Sequence, residues 1–98
     1  MKFKWHSIDE FPEAELTEEY NNSKFGHRPS FEFVVMEIIG NSSILYFVEF
    51  RPDETEYKFW LIGANYDHIL KEFISYWGYL DDLKSDLGIP AMLSLKAE

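Results

Sequence analysis

The sequence contains no cysteine, so disulfide bonds, thiolate metal sites and a thiol nucleophile are excluded together. Basic residues are scarce as well. Nine Lys and Arg stand against 18 Asp and Glu, which gives a formal net charge of −9. Nucleic acids and anionic membranes are bound through clustered cations, so we expect neither class of partner.

Long apolar runs are also missing. Stretches such as 34–36 and 59–62 fall far short of the ~20 residues that a membrane-spanning helix requires. Lys2 and Lys4 are followed by acids at positions 9 and 10, and not by the apolar stretch of a signal peptide. We therefore expect a cytoplasmic protein without a membrane span.

What the chain does contain is enough apolar material for a core. Hydrophobic residues make up 46% and aromatic residues 18% of the 98 residues, a composition that excludes a disordered tail. No repeat or low-complexity tract divides the chain. Because ordered domains typically run ~100–150 residues, the sequence predicts a single domain over 1–98.

The middle of the chain carries the clearest pattern. β-Branched and aromatic residues fill 31–39, 44–51 and 56–62, and turn-forming residues fill 40–43 and 52–55, which together predict an antiparallel meander of three strands. Glu32 and Glu37 differ in parity, so either a bulge shifts the register or both faces of the sheet are partly covered.

The N-terminal third is less regular. Alternation over 2–8 predicts a first strand, which we expect at the edge of the meander. Residues 9–20 carry six acids and no base and can form either a short helix or an ordered loop, while 21–30 reads as a loop.

In the C-terminal third, apolar residues from Tyr66 to Trp77 recur at helical spacing, which predicts an amphipathic helix capped by Asn65 and ended by Gly78. Residues 80–87 suggest a second short helix, and 91–96 a strand or a docked tail.

The predicted fold is α+β: an antiparallel sheet of about four strands with an amphipathic helix packed on one face. The expected core side chains are those of Phe33, Phe47, Phe59, Ile69, Leu70, Phe73 and Trp77. One helix covers only one face of a sheet, so the other face needs segment 9–20 or a partner as cover.

Catalytic patterns are weak. His68 and Glu72 stand at i, i+4 on the predicted helix, a spacing that suits a metal but also an ordinary helix surface. A carboxylate pair can be drawn from any of 18 acids, and the glycines are isolated. We expect no enzymatic activity, no cofactor and no metal site.

The acids fall into three clusters, at 9–20, 53–56 and 81–86, whereas the bases are dispersed. Such clusters either keep the protein soluble or form a face for a basic partner. Tyrosine rings beside them suit a protein interface. The candidate partner-binding residues are Asp53, Glu54, Glu56, Tyr57, Tyr79, Asp81, Asp82, Asp86, Glu18 and Glu19.

In size, acidity and aromatic richness the whole chain resembles the bacterial immunity proteins, which inhibit cognate nuclease toxins by blocking a cationic cleft with carboxylates. The stretch Tyr-Trp-Gly-Tyr-Leu-Asp-Asp-Leu at 76–83 is similar to the Tyr-Tyr-Gly-x-x-Leu-Asp-x-Leu inhibitory segment of barstar, with one residue fewer before Leu-Asp. It lies late in the chain, where barstar's segment is early, so only a cleft-facing role for Asp81 and Asp82 is carried over.

The resemblance implies a protein that neutralises a basic partner, a toxin nuclease. Two alternatives remain open at this point: a small-ligand-binding α+β domain, with a pocket among the aromatic residues, and a soluble adaptor whose acidity serves solubility alone.

Overall fold

The computed structural model describes residues 2–24, 26–64 and 67–88, which form one antiparallel sheet of six strands and two α-helices. The α+β class is confirmed, but the sheet is larger than the predicted four strands. Across the sheet the strands stand in the order β1-β6-β2-β3-β4-β5. In chain order the elements are β1 (His6–Ser7), α1 (Glu13–Asn21), β2 (Phe31–Ile39), β3 (Ser42–Phe50), β4 (Phe59–Leu61), β5 (His68–Ile69), β6 (Tyr76–Tyr79) and α2 (Leu80–Leu87).

The β2–β3 hairpin is the longest part of the sheet. Its register runs without interruption from Phe31 opposite Phe50 to Ile39 opposite Ser42. Gly40 has a φ of +59° in the connecting turn, a conformation that glycine adopts without a steric penalty. Because no bulge intervenes, Glu32 and Glu37 lie on opposite faces, and the prediction that both faces are partly covered is the correct alternative.

The core lies on the face of the sheet that carries Phe33. Segment 8–21 covers this face, and its Phe11 ring packs at centroid distances of 5.0 to 5.3 Å against four other rings. Leu16 of α1 is buried in the same cluster. Segment 9–20 is therefore the cover that an aromatic sheet face requires, and most of it is helical. The four rings around Phe11 are those of Phe33, Phe50, Phe59 and Trp77.

On the opposite face, α2 and the N-terminal residues cover part of the sheet. Val34 is fully buried here, and the Lys84 ammonium lies 3.6 Å from the Glu32 carboxylate. Phe3 packs over Gly78, where a Cβ would stand 2.5 Å from the Phe3 ring. The glycine thus serves a close approach within a strand, and it does not end a helix as predicted.

The predicted helix over Tyr66–Trp77 is wrong. The described part of this stretch contains β5, a 3₁₀ turn at Lys71–Phe73 and the start of β6. The Phe73 side chain is 50% exposed, whereas the helix would have buried it. Pairing decides the outcome, since β6 hydrogen-bonds to both β1 and β2 and so satisfies backbone groups of β2 that a helix would leave open.

The lengths of two strands and the burial of two expected core side chains also differ from the predictions. The first strand is only His6–Ser7, and it pairs with β6 and not with the meander. The third meander strand shortens to Phe59–Leu61. Phe47, expected in the core, is 51% exposed, and Leu70 is half-buried, while Ile69 and Trp77 are buried as expected.

The second short helix is confirmed as α2, which ends at Gly88 with a φ of +74°. The predicted cap Asn65, the helix start at Tyr66 and the 91–96 strand or tail lie outside the described residues. Within the described ranges, neither helix has the length and apolarity to cross a bilayer.

Candidate functional site

Two of the three acidic clusters follow strands that finish at the same end of the sheet. β3 finishes at Phe50, opposite Phe31, and β6 finishes at Tyr79, opposite Phe33. The turn after β3 and the first turn of α2 therefore emerge at one end, which we call the acidic end. Its carboxylates are those of Asp53, Glu54, Glu56, Asp81 and Asp82.

The carboxylates of the acidic end face solvent and have no counter-ion among the described residues. The ion pairs among the described residues engage Glu13, Glu32 and Glu49. No described Lys, Arg or His lies within 4.0 Å of an acidic-end carboxylate, and all five of these residues are exposed or half-exposed. Their negative charge is therefore not neutralised within the described fold.

Asp81 and Asp82 also have a structural role. They occupy the first turn of α2, where the helix dipole favours acidic side chains by about 0.3–1 kcal/mol each. A loss of stability on mutation would therefore not by itself indicate a binding role for this pair.

Glu18 and Glu19 stand in the opposite electrostatic situation. They lie near the C-terminal end of α1, whose last turn contains no basic residue, and both are exposed. Acidic side chains at this end of a helix are disfavoured by its dipole. Their position is thus unexplained by helix stability, which makes a role in binding or solubility the more economical interpretation.

The end of α1 borders a cleft of about 360 Å³ that also reaches the β3–β4 turn. Tyr20, Asp53 and Glu54 line it, together with two arginines. The guanidinium of Arg28 lies 4.5 Å from the Tyr20 ring centre, and the Arg51 Nε lies 3.2 Å from Glu49 Oε1. These cations reduce the negative potential near Asp53 and Glu54.

Both candidate tyrosines are held by aromatic neighbours and keep one side open. Tyr57 stacks on His68 at a centroid distance of 3.8 Å, and the Trp60 indole N–H donates to its backbone carbonyl at 2.6 Å. Tyr79 packs at 5.4 Å from Phe33. Tyr57 and Tyr79 are 37% and 40% exposed, so each presents a positioned ring at the surface.

Asp86 differs from the other candidates because its carboxylate is engaged within the fold. Its two oxygens accept hydrogen bonds from the backbone N–H groups of Lys2 and Phe3, at 2.8 and 2.9 Å. These bonds hold the pKa of Asp86 below its ordinary value. Asp86 therefore fastens the N-terminal segment to α2, and its carboxylate is not available as a free docking group.

The helical spacing of His68 and Glu72 in the sequence does not correspond to a helix in the structure. His68 lies in β5 and Glu72 in a 3₁₀ turn, so their i, i+4 spacing no longer corresponds to a helix face. His6 stacks on Trp77 at 4.6 Å. No group of three or more metal-binding side chains occurs within the part of the chain that the structure describes.

The sequence reasoning missed one surface, the outer half of the β2–β3 hairpin. Its large apolar side chains are 39 to 54% exposed. The signal was present as a stretch without any charged residue, 38–48, in a chain of which 28% is charged. These side chains are Ile38, Ile39, Ile44, Leu45 and Phe47.

The hairpin also contains a polar pair near its inner half. The Tyr46 hydroxyl donates to Glu37 Oε1 at 2.8 Å, and this hydrogen bond to the carboxylate raises the pKa of Tyr46. Glu37 is the charged residue nearest to the hairpin tip, and the Tyr46 hydroxyl solvates its carboxylate.

Comparison of the chain with protein-family models, with curated proteins and with solved structures finds no match. The candidate site consequently rests on the position, exposure and charge of its own residues.

Proposed function

We propose that this chain is a non-enzymatic acidic protein that binds and neutralises a basic protein, and that the partner is a cognate nuclease toxin whose cationic active-site cleft it covers. The observation that carries the proposal is the set of solvent-facing carboxylates at the acidic end, which have no counter-ion within 2–24, 26–64 and 67–88. The exposed rings of Tyr57 and Tyr79 beside them supply the amphipathic contacts that interfaces favour.

The carboxylates of the acidic end are suited to attract a cationic nuclease cleft. A nuclease cleft concentrates Lys and Arg to hold phosphates, so its potential is complementary to a cluster of carboxylates. Complementary charge raises association rates to ~10⁸–10⁹ M⁻¹s⁻¹ at low salt, compared with ~10⁵–10⁶ for neutral encounters. Rapid capture suits an inhibitor that must act before the toxin does.

Within the acidic end, Asp81 and Asp82 are the stronger candidates for the contact. They stand on a helix directly after Tyr79, and rigid elements position charge better than loops do. Asp53 and Glu54 share their cleft with Arg28 and Arg51, which weakens their field. Asp86 leaves the docking set because its carboxylate binds the N-terminal backbone.

The test begins with the partner. The immobilised chain is exposed to a lysate of the source cell, bound proteins are eluted with a salt gradient, and the captured protein is assayed for nuclease activity with and without the free chain. We expect a basic protein whose nuclease activity falls to background at stoichiometric amounts of the chain. The chain alone should hydrolyse neither nucleic acid nor nucleotides.

Charge-neutralising variants then locate the contact. Asp81→Asn with Asp82→Asn should slow association and flatten its salt dependence, and a fully desolvated carboxylate should contribute a further ~2–5 kcal/mol through slower dissociation. Asp67→Asn, which removes an exposed charge outside the three clusters, is the control for each single variant and should have little effect. Thermal unfolding of each variant separates lost binding from lost helix stability.

Two outcomes would reject the proposal. One is binding that is indifferent to salt and to neutralisation of all three clusters. The other is a hydrolytic activity of the chain itself that disappears on replacement of one carboxylate, since that would identify an enzyme.

A further inference from the structure

The outer half of the β2–β3 hairpin extends beyond the strands that flank it. The pairing of β6 with β2 ends at Met36, and the pairing of β4 with β3 ends at Val48, with one further bond from the Ile62 N–H to the Phe47 carbonyl. Among the described residues, no strand pairs with the outer edge of β3 over 42–46. Within the part of the chain that the structure describes, the hairpin tip is therefore a two-stranded projection with an open edge.

The direction of the open backbone groups follows from the hydrogen-bond pattern. In an antiparallel strand, alternate residues direct both their N–H and C=O toward the same neighbour. The Phe47 carbonyl and the Arg51 N–H bond toward β4, so the odd residues of β3 face that side. Ser43 and Leu45 consequently present their backbone donors and acceptors along the open edge, while Ile44 and Tyr46 pair with β2.

We propose that this edge of β3 pairs with the same edge of a second copy of the chain, in antiparallel fashion about a two-fold axis at Ile44. In this register Ser43 lies opposite Leu45 of the second copy, and both residues use their open backbone groups. Ile44 lies beside its own equivalent, a cross-strand pair of β-branched side chains that sheets favour. The proposal is independent of the proposed function, because it concerns the opposite end of the sheet.

Charge favours a second copy at this edge over the acidic end. A chain of net charge −9 repels itself, so self-association requires a surface far from its acids. The stretch 38–48 has no charged residue, and the bordering Glu49 is paired with Arg51. Glu37 lies opposite Ile44 and keeps its charge while it accepts the Tyr46 hydroxyl, and two-fold pairing sets the Glu37 residues of the two copies three strand spacings, roughly 14 Å, apart. The β3–β4 turn begins roughly 20 Å from Ile44 at ~3.4 Å per residue, about twice the Debye length at physiological salt.

The exposed apolar side chains of the hairpin also favour pairing of this edge with a second copy. Leu45 and Phe47 lie on the same face of the sheet as Val34, beyond the part of that face that α2 covers, and they are 53% and 51% exposed. Two-fold pairing places Leu45 of each copy diagonally across from the other, so the exposed apolar surfaces become continuous. An exposed, uncharged, apolar edge is otherwise a site for uncontrolled association, and closed symmetric pairing limits it to a dimer.

The edge contact is small, so we expect a weak dimer whose population depends on concentration. Light scattering after size-exclusion chromatography and sedimentation velocity, over a range from low to high micromolar chain, should show a monomer–dimer equilibrium. Hydrogen exchange supplies a sharper readout. The Ser43 and Leu45 amides should be protected only at high concentration, whereas the Ile44 and Tyr46 amides should be protected at every concentration.

Two variants and a matched control complete the test. Ser43→Pro removes the outward N–H, which edge strands tolerate, and should weaken the dimer roughly tenfold or more through the lost pair of backbone bonds. Ser43→Ala retains that N–H and should dimerise like the parent chain. Leu45→Glu places a charge at an already exposed position and should also weaken the dimer, while the circular dichroism of the monomer remains unchanged.

Each contrary result overturns the proposal. A monomer at all concentrations does so, and so does a dimer that survives both Ser43→Pro and Leu45→Glu. Protection of the Ser43 and Leu45 amides in dilute monomer would show that another segment of the same chain occupies the edge. Protection that appears only with a different protein would assign the edge to that protein.

Discussion

At the scale of single residues, the immediate neighbours decide whether a carboxylate contributes to folding or remains available for binding. Asp86 and Asp82 lie on the same short helix, yet Asp86 accepts two backbone hydrogen bonds from the N-terminal segment while Asp82 has no counter-ion among the described residues. The acid cluster in the sequence therefore divides into a structural residue and candidate docking residues.

Asp86 predicts a defined dependence of stability on pH. Its folded pKa lies below the ordinary value of 3.8, so its contribution to the free energy of unfolding is fully present above that value. The contribution is lost as the pH falls through the lower folded pKa. Asp86→Ala should therefore be less stable than the parent chain at neutral pH, and the difference should shrink below pH 3.8.

Urea unfolding of both chains between neutral and acidic pH measures this difference. Asp67→Ala, which removes an exposed acid, is the control and should lose little stability at any pH. A deficit of Asp86→Ala that stays constant down to the acid transition would mean that the carboxylate bonds do not hold the N-terminal segment.

At the scale of elements, the main difference between sequence pattern and structure is β6. Residues 69–77 carry apolar side chains at helical spacing, but their β-branched and aromatic composition suits a strand equally well. A helix would leave the backbone of β2 open on one side, while a strand between β1 and β2 closes it. The pairing partner lies some forty positions away in the chain, beyond the reach of any local pattern.

Substitution of two phenylalanines distinguishes these arrangements. Phe33 is almost completely buried and contacts the rings of Phe11 and Trp77, so Phe33→Ala should lower the free energy of unfolding by ~3–5 kcal/mol. Phe73, in a 3₁₀ turn and half exposed, should lose less than ~1 kcal/mol on replacement by Ala. Denaturant unfolding with matched m-values gives both numbers.

Similar losses for the two variants would contradict the six-stranded arrangement, because they would place Phe73 in the core. That result would favour the amphipathic helix that the spacing from Tyr66 to Trp77 predicts.

At the scale of the whole molecule, charge and apolar exposure are segregated. The acids without counter-ions stand at the end of the sheet where β3 and β6 finish, and the exposed apolar side chains stand at the β2–β3 turn. Such separation allows one end to attract a cationic partner while the other end tolerates an uncharged contact. The proposed partner contact and the proposed self-contact therefore lie at opposite ends of the sheet, so a variant at one end tests one of them without altering the other.

The same segregation predicts how salt acts on stability. A net charge of −9 with acids concentrated at one end destabilises the fold by self-repulsion. Raising NaCl from about 0.01 to about 0.1 M shortens the Debye length from ~30 to ~10 Å, so the unfolding temperature of dilute chain should rise. Glu18→Gln with Glu19→Gln should raise it further at low salt and reduce its salt dependence.

Differential scanning calorimetry at a fixed low protein concentration provides the measurement. An unfolding temperature that falls with salt would mean that the ion pairs of Glu13, Glu32 and Glu49 outweigh the repulsion between the clusters.

Features that depend on near neighbours in the chain could be predicted from the amino-acid sequence. Alternating β-branched and aromatic residues around Gly40 specify the β2–β3 hairpin, and the leucines of 80–87 before Gly88 specify α2. The composition and net charge predict an ordered acidic protein, and the positions of the acid clusters supply the hypothesis for the candidate site. All of these are encoded within a few residues, so a local pattern is sufficient to recognise them.

Features that depend on residues distant in the chain became visible only in the folded molecule. The tertiary structure placed β6 between β1 and β2, buried Trp77 while exposing Phe47 and Phe73, and joined Asp86 to the N-terminal backbone 83 positions away. Gly78 shows the reason. In the sequence alone, this glycine suits the end of a helix. In the fold, its missing side chain leaves room for the Phe3 ring, and this contact forms only when the N-terminal segment packs on β6.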